Sequence, residues 1–135
     1  MRTTDIRCTS LDGYRLPAGA NTDAQIRREV FDCDVFIALL SPNSIKSVYV
    51  LFELGARWGT GSYLAPLLIS GLKPLALKSP LSGINSVQIS SEENIHQFLN
   101  ELAQKLTTRI EPASAYLKQL KSFLKRATPS PLIIQ

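Results

Sequence analysis

The chain has 135 residues, of which 44% are apolar and 19% charged, so its composition fits one globular domain and excludes a disordered or fibrous protein. The longest apolar run, Val35–Leu40, is far shorter than the roughly 20 residues that span a bilayer. The first residues show no signal-peptide pattern. We therefore predict a protein with no membrane partner.

The net charge of +4 is mildly basic. A nucleic-acid groove usually shows clustered basic residues interleaved with aromatic ones, whereas the densest basic stretch here is one helical stripe near the C-terminus. Its members are Lys118, Lys121, Lys125 and Arg126. We interpret this stripe as a solvated helix face and predict no nucleic-acid partner. The spacing of Cys8 and Cys33 matches neither a metal site nor a disulfide framework, which predicts reduced thiols and a cytoplasmic protein.

The N-terminal third predicts a strand, a loop and a helix. Ile6–Thr9 is short and β-prone, and Leu11–Gly19 contains Asp-Gly and Pro-x-Gly turn signals. Thr22 opens a short amphipathic helix with Gln25 in the capping-box position. Val35–Leu40 then follows as an unbroken apolar run. We expect it to be a strand buried on both faces at the centre of a parallel sheet.

The middle of the chain predicts a second helix and another buried strand. Ser47 suits the N-cap of a helix over Val48–Trp58, which is apolar almost all round. Such a helix is either fully buried or offers one face to a partner. Leu64–Ile69 reads as a buried strand, whereas Pro74 makes a strand over Leu72–Leu77 doubtful.

The C-terminal half predicts two more helices. Lys78–Gln88 reads as a loop, and Ser90 with Glu93 forms a capping box before a helix over Ser91–Leu106. Pro112 suits the first position of a last helix. The alternation of strands and helices predicts a parallel α/β sheet with helices on both faces and right-handed crossovers.

No familiar catalytic or metal motif is evident in the sequence. The single histidine, His96, has no cysteine or histidine companions and reads as a surface residue. Gly59–Ser62 follows a helix instead of opening one after a strand, so it fails as a dinucleotide-binding fingerprint. We predict no metal and no bound cofactor.

Glu53 is the unusual residue, because it is a carboxylate in the middle of an apolar helix. Arg57 lies four residues further on, so one interpretation is a simple helical ion pair. The other places Glu53 near the carboxyl edge of the sheet, where open α/β sheets bind ligands. The hydroxyls of the Ser41–Ser47 loop belong to that edge as well and suit sugar or phosphate groups.

A family resemblance lies in this same region. Asp34–Pro42 (DVFIALLSP) and the following Ser47–Ala56 (SVYVLFELGA) resemble the middle of a bacterial TIR (Toll/interleukin-1 receptor) domain. Such domains carry an apolar strand ending in Ser-Pro and then Ser-x-aromatic-(Val or Cys)-x-x-Glu on a helix. The matching positions here are Ser47, Tyr49, Val50 and Glu53. The resemblance implies a flavodoxin-like parallel sheet.

The resemblance covers roughly residues 6 to 106 and implies a layout of three parts. Residues 1–110 would form the TIR-like domain, 111–127 a C-terminal helix and 128–135 a flexible tail. TIR domains usually begin with a strand reading like Val-Phe-Ile-Ser, followed by a helix, and nothing here matches that pattern. We therefore expect a TIR-like domain without its first strand–helix unit, either because the domain is truncated at the N-terminus or because that unit lies in upstream sequence.

The resemblance also implies an activity: cleavage of the nicotinamide–ribose bond of NAD, which is substrate and not cofactor, in bacterial signalling or defence. Glu53 would be the catalytic carboxylate. Ser41, Ser44 and Ser47 would contact ribose or phosphate, and Tyr14 or Trp58 would stack on a ring.

The alternative is a non-catalytic module that assembles with other TIR domains. The loop over Asp12–Gly19 would then be the contact, through Asp12, Gly13, Arg15, Leu16 and Pro17. A weaker third possibility is a nucleotide-binding sensor without turnover.

Overall fold

The computed structural model describes residues 5–7 and 22–129, and for Thr22 and Asp23 it describes the backbone only. Within these ranges the helices and strands are α1 (Thr22–Asp32), β1 (Phe36–Leu40), α2 (Val48–Gly59), β2 (Leu64–Leu68), β3 (Val87–Gln88), α3 (Glu92–Lys105) and α4 (Ala113–Ala127). Of the predicted strand Ile6–Thr9 only Ile6 and Arg7 are described, and the predicted loop Leu11–Gly19 lies outside the described residues.

The three strands form one parallel sheet in the order β1-β2-β3. Phe36 pairs with Leu64 and Leu40 with Leu68, and Leu68 also pairs with Gln88 of β3. This arrangement confirms the predicted parallel α/β class. The predicted loop Lys78–Gln88 ends in strand β3, because two residues are too few to show a strand's periodicity in the sequence.

The doubtful strand over Leu72–Leu77 is not a strand in the structure. Pro74–Ala76 instead forms a single turn of 3₁₀ helix. The physical reason is the one that made the assignment doubtful, since a proline has no N–H to donate to a sheet ladder.

The prediction that Val35–Leu40 is a central strand buried on both faces was wrong. Strand β1 is an edge strand among the described residues, and only one of its faces is covered. Ala38 and Leu40 are buried, whereas Ile37 is 41% and Leu39 50% exposed. The reason is that α3 and α4 cover β2 and β3 on that side of the sheet but do not reach across β1.

Helices on both faces of the sheet produce two core clusters. The first core cluster lies between the sheet and α2 and consists of Ala38, Leu40, Leu54, Leu68, Leu72, Leu77 and Leu81. The second core cluster lies on the opposite face, under α3 and α4, and consists of Ala65, Leu67, Ile89, Ile95, Phe98, Leu120 and Ala127. Strand β2 contributes to both, because its alternate side chains point to opposite faces.

The helix starts follow local capping rules. The Ser47 hydroxyl accepts a hydrogen bond from the Val50 N–H at 3.4 Å, which confirms Ser47 as the N-cap of α2. The cap of α3 is Ser91, not Ser90, and it accepts from the Asn94 N–H at 3.3 Å. Ser90 instead donates its hydroxyl to the Asn94 side chain at 2.9 Å.

Candidate functional site

Helix α2 carries the candidate catalytic residue and has two very different sides. Leu54 and Arg57 are buried against the rest of the domain. The outer side is strongly apolar and exposed, through Val48, Tyr49, Leu51, Phe52 and Trp58. Of the two interpretations of an all-apolar helix, the structure therefore supports the one in which a face is left open.

Arg57 is fully buried, with 0% of its surface exposed. Its guanidinium donates to four backbone carbonyls: Tyr63 at 3.1 Å, Val30 at 3.0 Å, Phe31 at 3.2 Å and Asp34 at 3.2 Å. These carbonyls belong to the end of α1, the turn before β1 and the residue before β2. Arg57 therefore ties three segments together, and we assign it a structural role.

The cationic side chain also completes the C-terminus of α1. The last carbonyls of a helix lack N–H partners and carry partial negative charge. Helix α1 has no basic residue in its own last turn, so Arg57 of α2 supplies the missing donors. The sequence held a weak signal for this, because α1 ends at Asp32 and Asp34 follows, where a glycine or a basic residue is usual.

Glu53 is consequently left without the ion pair that its spacing allowed. Arg57 makes its bonds elsewhere, and the described part of the chain offers the Glu53 carboxylate neither a hydrogen bond nor an ion pair. Glu53 is half-buried. Burial raises the pKa of its carboxyl group, because removal from water disfavours the charged form. An unpaired, partly desolvated carboxylate is a feature typical of functional sites.

The three predicted serine contacts all hold backbone in place. The Ser41 N–H donates to the Ser44 hydroxyl at 2.8 Å, and the Ser44 N–H donates to the Ser41 hydroxyl at 3.1 Å. Ser47 caps α2. These hydroxyls therefore shape the turn between β1 and α2, and their proposed contact with ribose or phosphate stays a prediction.

Of the two predicted ring-stacking residues, only Trp58 is described, and it does not lie beside Glu53. Trp58 is five residues beyond Glu53, which on a helix of about 100° per residue places it about 140° around the axis. Trp58 lines a separate cavity. Tyr14 lies outside the described residues, as do Asp12, Gly13, Arg15, Leu16 and Pro17 of the predicted interaction loop.

The remaining titratable candidates have local roles. His96 Nδ1 lies 2.9 Å from the Tyr116 hydroxyl and so links α3 to α4. Cys33 is a free thiol whose pKa is raised, chiefly by burial, with the Arg57 charge acting in the opposite direction. No group of three or more His, Cys, Asp or Glu among the described residues could hold a metal ion.

The described residues form a parallel sheet with helices on both faces, which is the architecture of a flavodoxin-like α/β domain. The family model of the TIR domain matches residues 1–107, so the chain belongs to the TIR domain family. A search of curated proteins found no significant match. Within the ranges described, no helix is both long and apolar enough to cross a membrane.

Proposed function

We propose that this TIR domain is an NAD glycohydrolase with Glu53 as its catalytic carboxylate. The observation that carries the proposal is the state of Glu53, which is half-buried, unpaired among the described residues and raised in pKa by desolvation. A structural salt bridge to Arg57 was the main competing interpretation. The guanidinium of Arg57 instead donates its hydrogen bonds to four backbone carbonyls, which argues against this salt bridge.

The proposed chemistry uses the negative charge of Glu53. In NAD the bond between C1′ of the ribose and the nicotinamide nitrogen breaks, and its electron pair leaves with nicotinamide. Positive charge develops on the ribose, where a carboxylate in a water-poor setting stabilises it. Water then attacks C1′, releasing one proton and giving ADP-ribose. A poorly hydrated carboxylate suits this role, because it gains more from a nearby cation than a fully hydrated one does.

The test measures nicotinamide release from NAD by the full chain at high protein concentration. Glu53→Gln keeps the size and hydrogen-bonding reach of the side chain but removes its charge. We expect loss of about 100-fold or more in rate, the usual effect of removing a key transition-state charge. Glu93→Gln is the matched control, since Glu93 is exposed on α3 and should leave the rate unchanged.

Two results would overturn the proposal. One is nicotinamide release that persists in Glu53→Gln. The other is a wild-type chain that is folded and associated but releases no nicotinamide above the rate of the buffer.

The second candidate function is a TIR–TIR interaction module, and a separate observation favours it. The outer side of α2 exposes Val48, Tyr49 and Phe52 next to one another, with Phe52 76% exposed. Exposed apolar patches rimmed by polar residues mark interaction surfaces. TIR domains commonly self-associate, so another TIR domain is the partner that this surface fits best.

Sedimentation velocity distinguishes a contact through the outer side of α2 from one through the predicted interaction loop Asp12–Gly19. Phe52→Ser should weaken self-association if α2 forms the contact. The double variant Arg15→Ala with Leu16→Ala should do so if the loop forms it. Unchanged association in both would contradict the interaction-module hypothesis, and the Glu53→Gln assay is independent of either result.

A further inference from the structure

A cavity of about 710 Å³ lies on the side of α2 away from Glu53. One wall is formed by Leu51, Leu54, Gly55 and Trp58, which repeat every three or four residues and share one helix face. On a helix of about 100° per residue, Glu53 lies about 150° from the middle of that face. The cavity is therefore distinct from the candidate catalytic position.

The opposite wall comes from the two segments that follow β1 and β2. The first supplies Pro42 and Ile45, and the second supplies Leu72 and Leu81. Both segments begin at the carboxyl ends of parallel strands, which is where open α/β sheets bind small ligands. The volume lies within the range of about 300–1,000 Å³ that is usual for small-molecule sites.

Two lysines give the cavity its charge. Lys46 and Lys78 line it from the two different loop segments, and none of the described residues that line it is acidic. Neither lysine has a salt-bridge partner within the described part of the chain. As far as residues 5–7 and 22–129 show, the cavity is thus an apolar chamber with two cations and no compensating anion.

We propose that this cavity binds a small amphipathic anion, with an alkyl or aryl body in the chamber and a carboxylate, sulfonate or phosphate group at Lys46 and Lys78. Charge complementarity selects the head group, and the leucine-rich wall selects the body. NAD does not fit this description, because its two riboses and diphosphate need many more polar partners than the wall provides.

Trp58 provides a direct reporter of binding, since it is the chain's single tryptophan and it lines the cavity. Decanoate, titrated below its micelle concentration, should change the Trp58 fluorescence in a saturable manner. Decanol, which has the same body without the charge, should bind more weakly. The double variant Lys46→Gln with Lys78→Gln should weaken decanoate binding about three- to tenfold, as expected for two exposed charge contacts.

A second variant blocks the chamber without removing charge. A Cβ added to Gly55 meets nothing within 4 Å, so Gly55→Leu can place its side chain in the cavity and should abolish binding. Gly59→Leu is the matched control, because Gly59 is on the same helix with equally open space but does not line the cavity. Ala76→Phe, on the opposite wall, replaces Gly55→Leu if that variant fails to fold.

Several results would overturn the proposal. They are a fluorescence change that does not saturate, decanol binding as tight as decanoate, and decanoate binding unaffected by the occluding variants. Co-sedimentation with anionic vesicles without a saturable response to free decanoate would assign the lysines to a membrane surface instead.

Discussion

Glu53 and Arg57 lie one helical turn apart on α2, yet their side chains have different surroundings. Arg57 is buried among carbonyls, and Glu53 is half-buried and has no pairing partner among the residues that the structure describes. The four carbonyls at the end of α1 and in the adjoining turns need donors, and a planar guanidinium supplies several at fixed angles. A partly exposed ion pair contributes about 0–1 kcal/mol, so the hydrogen bonds from Arg57 to the carbonyls stabilise the fold more than a pair with Glu53 would.

We expect Arg57→Lys to destabilise the domain by about 3 kcal/mol or more, because an ammonium cannot reach all four carbonyls and leaves buried acceptors unpaired. Urea denaturation monitored by circular dichroism measures the change. Arg27→Lys, on the exposed side of α1, is the control and should be nearly neutral. Equal stability of the two variants would contradict the structural role assigned to Arg57.

The raised pKa of Glu53 gives a prediction with a definite sign. The folded state holds the Glu53 proton more tightly than the unfolded state does. Its contribution to stability is therefore greatest below the unfolded pKa of about 4.3 and is lost as pH rises through the folded value. At neutral pH the charged carboxylate destabilises the fold.

It follows that Glu53→Gln should raise the melting temperature at neutral pH, and that this gain should shrink when the comparison is made below about pH 4. Thermal melts of both proteins across this range provide the measurement, with Glu93→Gln as the exposed control. A destabilised Glu53→Gln at neutral pH would show instead that the carboxylate has a stabilising partner.

At the scale of elements, β1 and α2 both leave apolar side chains exposed in the described structure. Strand β1 is apolar throughout, but its two faces have different surroundings. Helix α2 buries Leu54 and Arg57 while Val48 and Phe52 remain exposed. An edge strand and an uncovered apolar helix face both favour association, because each presents surface that gains from burial.

Two adjacent leucines of β1 provide a matched test of this arrangement. Leu40 is 0% exposed and Leu39 is 50% exposed, with the two side chains on opposite faces. We expect Leu40→Ala to lower the free energy of unfolding by about 2–5 kcal/mol. Leu39→Ala should cost less than about 1 kcal/mol. Chemical denaturation at low protein concentration checks both, and equal losses would mean that something covers Leu39 in solution.

For the whole molecule, the core extends beyond the residues that match the family model. Helix α4 lies after residue 107, yet Leu120 and Ala127 belong to the second core cluster. The Ser70 N–H after β2 also donates to the Ala127 carbonyl, which fixes the end of α4 against the sheet. Helix α4 and the sheet therefore share one core.

We expect Leu120→Ala to destabilise the entire domain by about 2–5 kcal/mol and to leave a single cooperative transition. Gln119→Ala, at the exposed neighbouring position, should be nearly neutral. Calorimetry measures both effects. A separate low-temperature transition in Leu120→Ala would indicate that α4 unfolds independently of the sheet.

Local patterns were sufficient to predict the alternation of strands and helices, the Ser47 cap and the parallel α/β class. These features depend on apolar runs, capping residues and turn signals a few residues apart, so they can be read from the sequence. The same patterns, together with the family resemblance, singled out Glu53.

Only the tertiary structure decided which faces are covered and which partners the charged residues have. The run Phe36–Leu40 looks the same on both sides in the sequence, and its exposed face depends on how far α3 and α4 reach. Arg57 selects carbonyls more than 20 residues away over a glutamate four residues away. The cavity beside Trp58 joins three separate segments. Such contacts are set by long-range packing, which local spacing does not encode.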